Sequence, residues 1–383
     1  MIQTKNKHAF LGLGSLLALC FLVSTSVPAC TIFVLTDTNR ALFCNNEDWS
    51  NPNTRIWFVP AEGRHYGCVF VGFDDGFPQG GLNTEGLAFD WVAGYNEEWK
   101  PDPGLPIVVG SSSEQMLGTC ATVEEAIAFY RGHQEPGFYR AKILVADRTG
   151  ASVIIGAKEG KLQVEKENQC RGFGYGAQTL DKMLAKSSKP TVANGARILR
   201  ACLQKGQYAT KYFNIFDLKS GDIFLYPFPT QNDKVKFNLA AELKKGGHYY
   251  DMPQIYKQLK QAPRSLLDNM ACFLLDKYKP IPDNEPQVTA HVRAMLQDVL
   301  DGTPLADDYT AEAWKSTLAN QPVTQAVVKT FGKFVSLTLV DRSAAGGKRS
   351  YRYRVEFEKS TALQHIVFDE QNKIAFSDTE EIR

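Results

Sequence analysis

The 383-residue chain sets 43 basic against 42 acidic side chains and draws 44% of its residues from the apolar set. These proportions exclude a disordered or collagen-like chain, and they exclude an electrostatic search for nucleic acid, which needs a basic face. The length exceeds the usual single-domain range, so one large or two ordinary domains with ample core are expected.

Residues 1–29 have the three parts of a secretory signal: Lys5 and Lys7, an apolar run over 9–23, and small residues over 24–29. The run is short for a helix that must cross roughly 30 Å of hydrocarbon at about 1.5 Å per residue. A cleaved signal is therefore expected, giving an exported protein, periplasmic or secreted, with no integral membrane segment once the signal is gone. Cys20 leaves with it. The remaining cysteines, Cys30, Cys44, Cys68, Cys120, Cys170, Cys202 and Cys272, are odd in number, so at least one thiol stays unpaired, and Cys30 is the candidate. Their spacing fits neither a dense disulfide scaffold nor a zinc pattern, and the other six read as small buried hydrophobes. No metal or cofactor is called for.

From Cys30 the chain opens on a hairpin. Residues 31–36 are β-branched and apolar, Asp37-Thr38-Asn39-Arg40 is a turn cluster, and residues 41–44 run back. If Thr36 faces Ala41, Cys30 lies opposite Glu47 with Asp48 adjacent. Strands are expected at 55–59, 66–73 and 86–92; between the last two, the glycines of Gly80-Gly81-Leu82-Asn83-Thr84-Glu85-Gly86-Leu87 permit a tight turn and close backbone approach, which places Asn83 at a strand end. Residues 122–131 have helical period, with Thr122 as N-cap and Glu125 completing a capping box. A hairpin joins 142–147 to 152–157, a helix over 193–203 carries Arg197 and Arg200, and strands 213–218 and 222–226 meet over Lys219-Ser220-Gly221. Helices fall between groups of hairpins rather than after every strand. That order predicts an antiparallel α+β fold rather than a doubly wound sheet.

Residues 253–275 read as helical, and the proline-dense stretch after them reads as a linker. The expected organisation is a first domain over 30–277, a linker over 278–286 and a small α+β domain over 287–383. In the last, Val288, Val292, Met295, Leu296, Val299 and Leu300 share one helix face, and strands follow at 334–340, 350–358, 362–369 and 373–376. Tyr351, Tyr353, Val355 and Phe357 alternate with charged residues, the mark of a half-buried antiparallel strand. Nothing in this domain reads as a nucleophile, metal cluster or phosphate loop.

A cysteine at a mature N-terminus suits amide chemistry. Its α-amine titrates near about 7.7–8.0 and its thiol near about 8.5, so the amine can take the thiol proton without a distant histidine. The thiolate attacks a carbonyl, and the protonated amine supplies a proton to the leaving nitrogen. Charge building on the carbonyl oxygen needs fixed donors, for which the Asn83 amide and backbone N–H groups are candidates, and Asp48 is placed to hold amine and thiol in register.

C-T-x-F at 30–33, N-N-E-D-W at 45–49 and G-G-L-N-T-E-G-L-A at 80–88 together resemble the linear-amide C–N hydrolases of the N-terminal-nucleophile (Ntn) superfamily. That group includes choloylglycine (bile salt) hydrolases, penicillin V acylases and the isopenicillin-N acyltransferase/carcinine hydrolase branch. The resemblance spans about residues 30–255, including F-N-I-F-D-L-K-S-G-D-I-F-L-Y at 213–226. It implies an αββα Ntn-hydrolase sandwich with Cys30 as nucleophile, Asp48 as orienting acid, Asn83 in the oxyanion hole, and a later catalytic arginine at Arg197 or Arg200, Arg197 fitting better. Two positions depart from the pattern. Asn45 stands where bile salt hydrolases carry arginine, and residues 172–180 lack the asparagine expected as second oxyanion donor, leaving Gln178 as the substitute amide. The C-terminal domain resembles the cystatin-like or nuclear-transport-factor-like modules appended to some exported hydrolases.

The activity so implied is hydrolysis of a non-peptide C–N bond in a small N-acyl amide through a Cys30 thioester, the acyl group passing to water or to an amine. Candidate substrates are acyl-amino acids, bile-salt conjugates, penicillin-type side chains and β-alanyl amines; association into a homo-oligomer is left open. The alternative takes Val27-Pro28-Ala29-Cys30, which resembles a bacterial lipobox, as a lipid anchor. The chain would then be a non-catalytic surface protein that binds a ligand on the same fold.

Overall fold

The computed structural model of the chain describes residues 30–95, 97–108, 111–167, 169–206, 208–228, 233–266 and 278–382. The expected signal, Cys272 and the far end of the helix expected over 253–275 lie outside the described residues. Within them, three antiparallel sheets organise the chain. The first runs in the order β10 (Arg171–Gly174), β1 (Thr31–Thr36), β2 (Ala41–Asp48), β11 (Thr210–Asp217), β12 (Asp222–Pro227), β13 (Val235–Asn238). The second runs β15 (Arg264–Ser265), β14 (His248–Asp251), β3 (Thr54–Val59), β4 (Cys68–Phe73), β5 (Pro78–Asn83), β6 (Ala88–Ala93), β7 (Ala141–Ala146), β8 (Ser152–Lys158), β9 (Lys161–Glu167). The third is β16 (Phe334–Ala345), β17 (Lys348–Phe357), β18 (Thr361–Phe368), β19 (Ile374–Ile382).

Side-chain alternation sorts the core into layers. Ile32, Val34 and Phe43 of the first sheet pack with Ile56, Val69 and Leu82 of the second in a layer between the sheets. Phe33, Leu35, Leu42 and Cys44 point the other way, onto Leu180 of α3 (Ala177–Lys186) and Ala196, Ile198 and Leu199 of α4 (Val192–Ala201). Behind the second sheet, Phe70, Phe89 and Val145 meet Met116 and Leu117 of α1 (Ser112–Thr119) and Ala126 and Ile127 of α2 (Val123–Gly132). The outcome is the expected αββα sandwich. It also explains the unbroken apolar run of β1: both faces are covered, each fully buried side chain contributes roughly 1.5–3 kcal/mol, and no position needs to be polar.

Local rules predict several elements correctly. The β1–β2 ladder pairs Thr36 with Ala41 and Thr31 with Asn46, the predicted register. Thr122 Oγ1 accepts from Glu125 N at 3.2 Å and Glu125 reaches back to Thr122 N, closing the capping box at the start of α2. Two expectations fail. Gly80 and Gly81 lie inside β5 rather than in a turn: a Cβ on Gly80 would fall 2.1 Å from Asp90 Oδ2, and one on Gly81 2.8 Å from Val69 O. The chain reverses at the far end of that glycine-bearing stretch, over Thr84-Glu85-Gly86, where Gly86 takes φ 78°. The helix expected from residue 253 is also cut short. After α5 (Leu239–Leu243), α6 (Ile255–Gln258) makes one turn before Pro263, and β15 then pairs with β14.

The C-terminal sheet carries α7 (Pro286–Asp301) and α8 (Ala311–Phe331) on one face, where Val292, Met295 and Ala313 meet Leu337, Tyr351, Tyr353 and Ile366. Residues 278–286 are tied to this sheet: Tyr278 packs on Val340 and Leu363, and Ile281 N donates to Leu339 O at 3.0 Å. Helix α8 has no counterpart in the sequence reading because Pro322 sits in its middle. Gln321 and Gln325 on α8 donate to Val299 O at 3.0 and 2.8 Å, satisfying an acceptor in the last turn of α7. Tyr139 Oη donates to Ser316 Oγ on α8 at 2.6 Å, joining this module to the sandwich.

Candidate active site

The hairpin register builds the site. Cys30, just ahead of β1 and 5% exposed, directs Sγ at Glu47 Oε1, 3.4 Å away. Its main-chain N–H donates to Asp48 Oδ2 at 3.0 Å, and Asp48 Oδ1 accepts from Thr210 Oγ1 at 2.5 Å. Thr210 is brought there by β11, which pairs with β2. Glu47 Oε2 accepts longer bonds from Asn45 Nδ2 and Tyr212 Oη, both 3.4 Å. On the other side, Tyr175 N donates to Cys30 O at 2.6 Å, and a Cβ on Gly174 would fall 2.3 Å from that oxygen, so only glycine lets β10 close on Cys30. Cys30 itself is held at φ 66°, a left-handed conformation rare for a residue with a side chain.

Carboxyl groups crowd this floor. Burial pushes Glu47 up to about 8, the hydrogen bond from Cys30 pulling it only partly back. Burial likewise raises Asp48 to about 7 against the bonds from Thr210 and the Cys30 N–H. Asp90, buried on β6, is driven well above the carboxylate range by burial and then by the Glu47 charge. Burial, then Glu47, Asp48 and Asp90, raise the Cys30 thiol. With its nitrogen still an amide, Cys30 is therefore a neutral thiol among acids that hold their protons unusually far up the pH scale.

A cavity of about 630 Å³ opens over Cys30, Glu47 and Asp48. Trp49, Phe73, Phe77 and Trp91 give it apolar walls, and Gln79 and Gln134 line it with amides. Trp91 is held by its indole N–H, which donates to Ser113 Oγ at 2.7 Å. The C-terminal module completes the lining with α8 and β19, through residues such as Ser316 and Phe376.

Of the residues expected at the site, Cys30 and Asp48 meet here; Asn83 and Arg197 do not. Asn83 is 1% exposed and its amide is engaged on every side. Nδ2 donates to Leu117 O and Cys120 O, both at 2.7 Å, and Oδ1 accepts from Glu85 N at 3.0 Å and Leu87 N at 2.9 Å. It ties the β5–β6 turn to the end of α1 and has no donor left for an oxyanion. Arg197 lies on the exposed face of α4, bonding Asn194 Oδ1 at 2.7 Å, outside the cavity lining. Arg200 stands over Phe213 and Tyr226, 5.4 and 5.2 Å from their ring centres, on the same outer side. Gln178 is exposed on α3 and does not line the cavity either.

Glu47, Asp90 and Tyr212 were not assigned roles from sequence. Asp90 carried a usable signal, an acid on the same strand face as Ala88 and Val92, both of which point between the sheets. Tyr212 carried none, since it reads as ordinary core. The C-terminal wall was invisible because it depends on how two parts of the chain dock.

Fold and site together define a class: an αββα sandwich with a buried cysteine at the head of a first-sheet strand, in the floor of a cavity. Among solved structures, the chain is similar to penicillin V acylase from Agrobacterium tumefaciens, with TM-score 0.43 and 14% identity over 59% of this chain and 87% of that one. It is also similar to a mutant of the conjugated bile acid hydrolase from Clostridium perfringens, with TM-score 0.45 and 15% identity over 58% of this chain and 96% of that one. No protein-family model matches the chain, and no curated protein matches it.

Proposed function

We propose that the chain is an exported amidase that uses Cys30, freed as the first residue, to cleave the C–N bond of a small N-acyl amide. The observation that carries this reading is Cys30 in the cavity floor with its nitrogen 3.0 Å from Asp48 Oδ2 and its sulfur 3.4 Å from Glu47 Oε1. Removal of the leader turns that nitrogen into an α-amine. The amine takes the Sγ proton, the thiolate attacks the carbonyl carbon, and the resulting ammonium gives a proton to the departing nitrogen as the C–N bond breaks. Asp48, fixed by Thr210, orients and balances the ammonium. With Asn83 engaged elsewhere, the protonated Glu47 carboxyl and the Gln79 amide, both lining the cavity, are the proposed donors to the oxyanion. Water, or an amine acceptor, then releases the acyl group from the thioester.

The immediate start of β1 weighs against the lipid-anchor alternative. A diacylglyceryl chain on Cys30 would have to fill the cavity floor, with a strand starting at the next residue and no tether between anchor and fold. The test is the intact mass of the exported chain, followed by a panel of N-acyl amides with Cys30→Ser as control. A mature chain beginning at unmodified Cys30, and loss of at least about a thousandfold in turnover on Cys30→Ser, are expected. A lipid adduct, or activity retained by the serine variant, sinks the proposal.

A further inference from the structure

The cavity over Cys30 has two halves of different origin, and the half from the C-terminal module carries charge. Glu312 and Ser316 of α8 and Phe376 and Asp378 of β19 line it. Facing them in the same lining are Asp75, in the β4–β5 loop, and Glu135, just before the helical turn Pro136–Tyr139. The two halves are joined beside the cavity by the Tyr139–Ser316 hydrogen bond at 2.6 Å. Asp75 Oδ1 accepts from Phe77 N at 2.9 Å, and its carboxyl is raised first by the protein crowding it and then by the charges of Asp74 and Asp378. Asp378 thus acts on a residue of the sandwich from across the mouth.

Among the lining residues, the carboxyls nearest the C-terminal half, Asp75, Glu312 and Asp378, stand with one guanidinium, Arg140, whereas Glu47 keeps its proton and Asp48 is matched by the freed amine. A low-dielectric cleft lined this way concentrates cations and repels anions. Trp49, Phe77 and Phe376 add exposed ring faces to the same lining, the partners that an alkylammonium prefers. Gln134 lines the same cavity at 3% exposure, and its buried Oε1 has no hydrogen-bond partner among the described residues.

We propose that the C-terminal module is the selecting wall of the Cys30 cavity, and that the amide it admits carries a cationic group, an ammonium or guanidinium, at the end that meets Asp75, Glu312 and Asp378. The inference rests on the reading of Cys30 as nucleophile. It narrows the substrate class, because amides that end in a carboxylate or sulfonate would meet a wall of their own charge.

The test uses the full processed chain and two methanethiosulfonate reagents, one bearing trimethylammonium and one bearing sulfonate. Labelling at Cys30 is located by peptide mapping, and each rate is divided by that of the same reagent on the unfolded chain. At low salt the normalised ammonium-to-sulfonate ratio is expected to reach about tenfold or more, and to shrink in about 1 M salt. Asp75→Asn and Glu312→Lys should each lower the ratio at least about threefold, whereas Ser316→Trp should slow both reagents and leave the ratio alone. A ratio near one in the unaltered chain, or a ratio that neither charge variant moves, overturns the selecting wall. If Cys30 resists even the small neutral methyl reagent, the nucleophile reading itself fails and takes this inference with it.

Discussion

While Cys30 is joined to Ala29, its nitrogen is an amide that donates to Asp48; freed as proposed, the same atom would be a base held 3.0 Å from that carboxyl. Asp48→Asn keeps the shape and removes the charge. Turnover is expected to fall about 10- to 100-fold while the melting temperature stays within a few degrees; a large fall in melting temperature with unchanged activity per folded molecule would make Asp48 structural. The raised carboxyls also predict a pH dependence. Glu47 and Asp48 bind protons more tightly folded, at about 8 and about 7, than unfolded, near 4. The native state therefore holds the extra protons, and stability from these groups is full below about pH 4, is lost as pH rises toward about 8, and is flat above. The uncut chain should melt several degrees lower at pH 8.5 than at 5.5, with Glu47→Gln flattening the slope. In the cut chain the α-ammonium pulls Asp48 down, so its slope is smaller. An uncut chain that gains stability over this range would contradict the assignment.

Asn83 marks where motif and structure part at the scale of elements. The string around it locates a strand end correctly, yet says nothing of which neighbours claim its hydrogens. Leu117 and Cys120 carbonyls do, so Asn83→Ala should destabilise by about 2–4 kcal/mol, with catalytic efficiency per folded molecule within about twofold. A selective loss of turnover in a stably folded Asn83→Ala protein would restore its oxyanion role. Other elements were legible for physical reasons. The β1–β2 register follows from turn length, the start of α2 from a reciprocal cap, and the face of β17 from strict alternation. What escaped depends on contacts between distant segments: the glycines of β5 yield to Asp90 and Val69, and α8 runs through Pro322 with Gln321 and Gln325 bonded to α7. Arg197 failed likewise, because spacing identified its helix but not the outer layer on which that helix lies.

The described residues form a sandwich with a smaller module docked at the mouth of its cavity, and the Tyr139–Ser316 bond reports on that docking. Tyr139→Phe removes the bond to Ser316 at a cost of about 1 kcal/mol. Amide exchange in α8 should quicken about fivefold, while β1 and β2, covered on both faces, stay protected; unchanged exchange in α8 would mean that the module is held elsewhere. Of the cysteines expected to be buried, Cys44, Cys68, Cys120 and Cys202 lie within apolar clusters while Cys170 is only partly covered, and among the described residues Cys30 is the sulfur in the cavity lining.

The left-handed backbone of Cys30 has one more consequence. A side chain at φ 66° costs about 1 kcal/mol, and that torsion is defined by the bond to the preceding residue. A chain that starts at Cys30 has no such torsion. The cut proposed above would therefore relieve the folded state of that strain, and maturation would then behave as a ratchet: the fold that presents the bond would also be the fold that relaxes when the bond is gone.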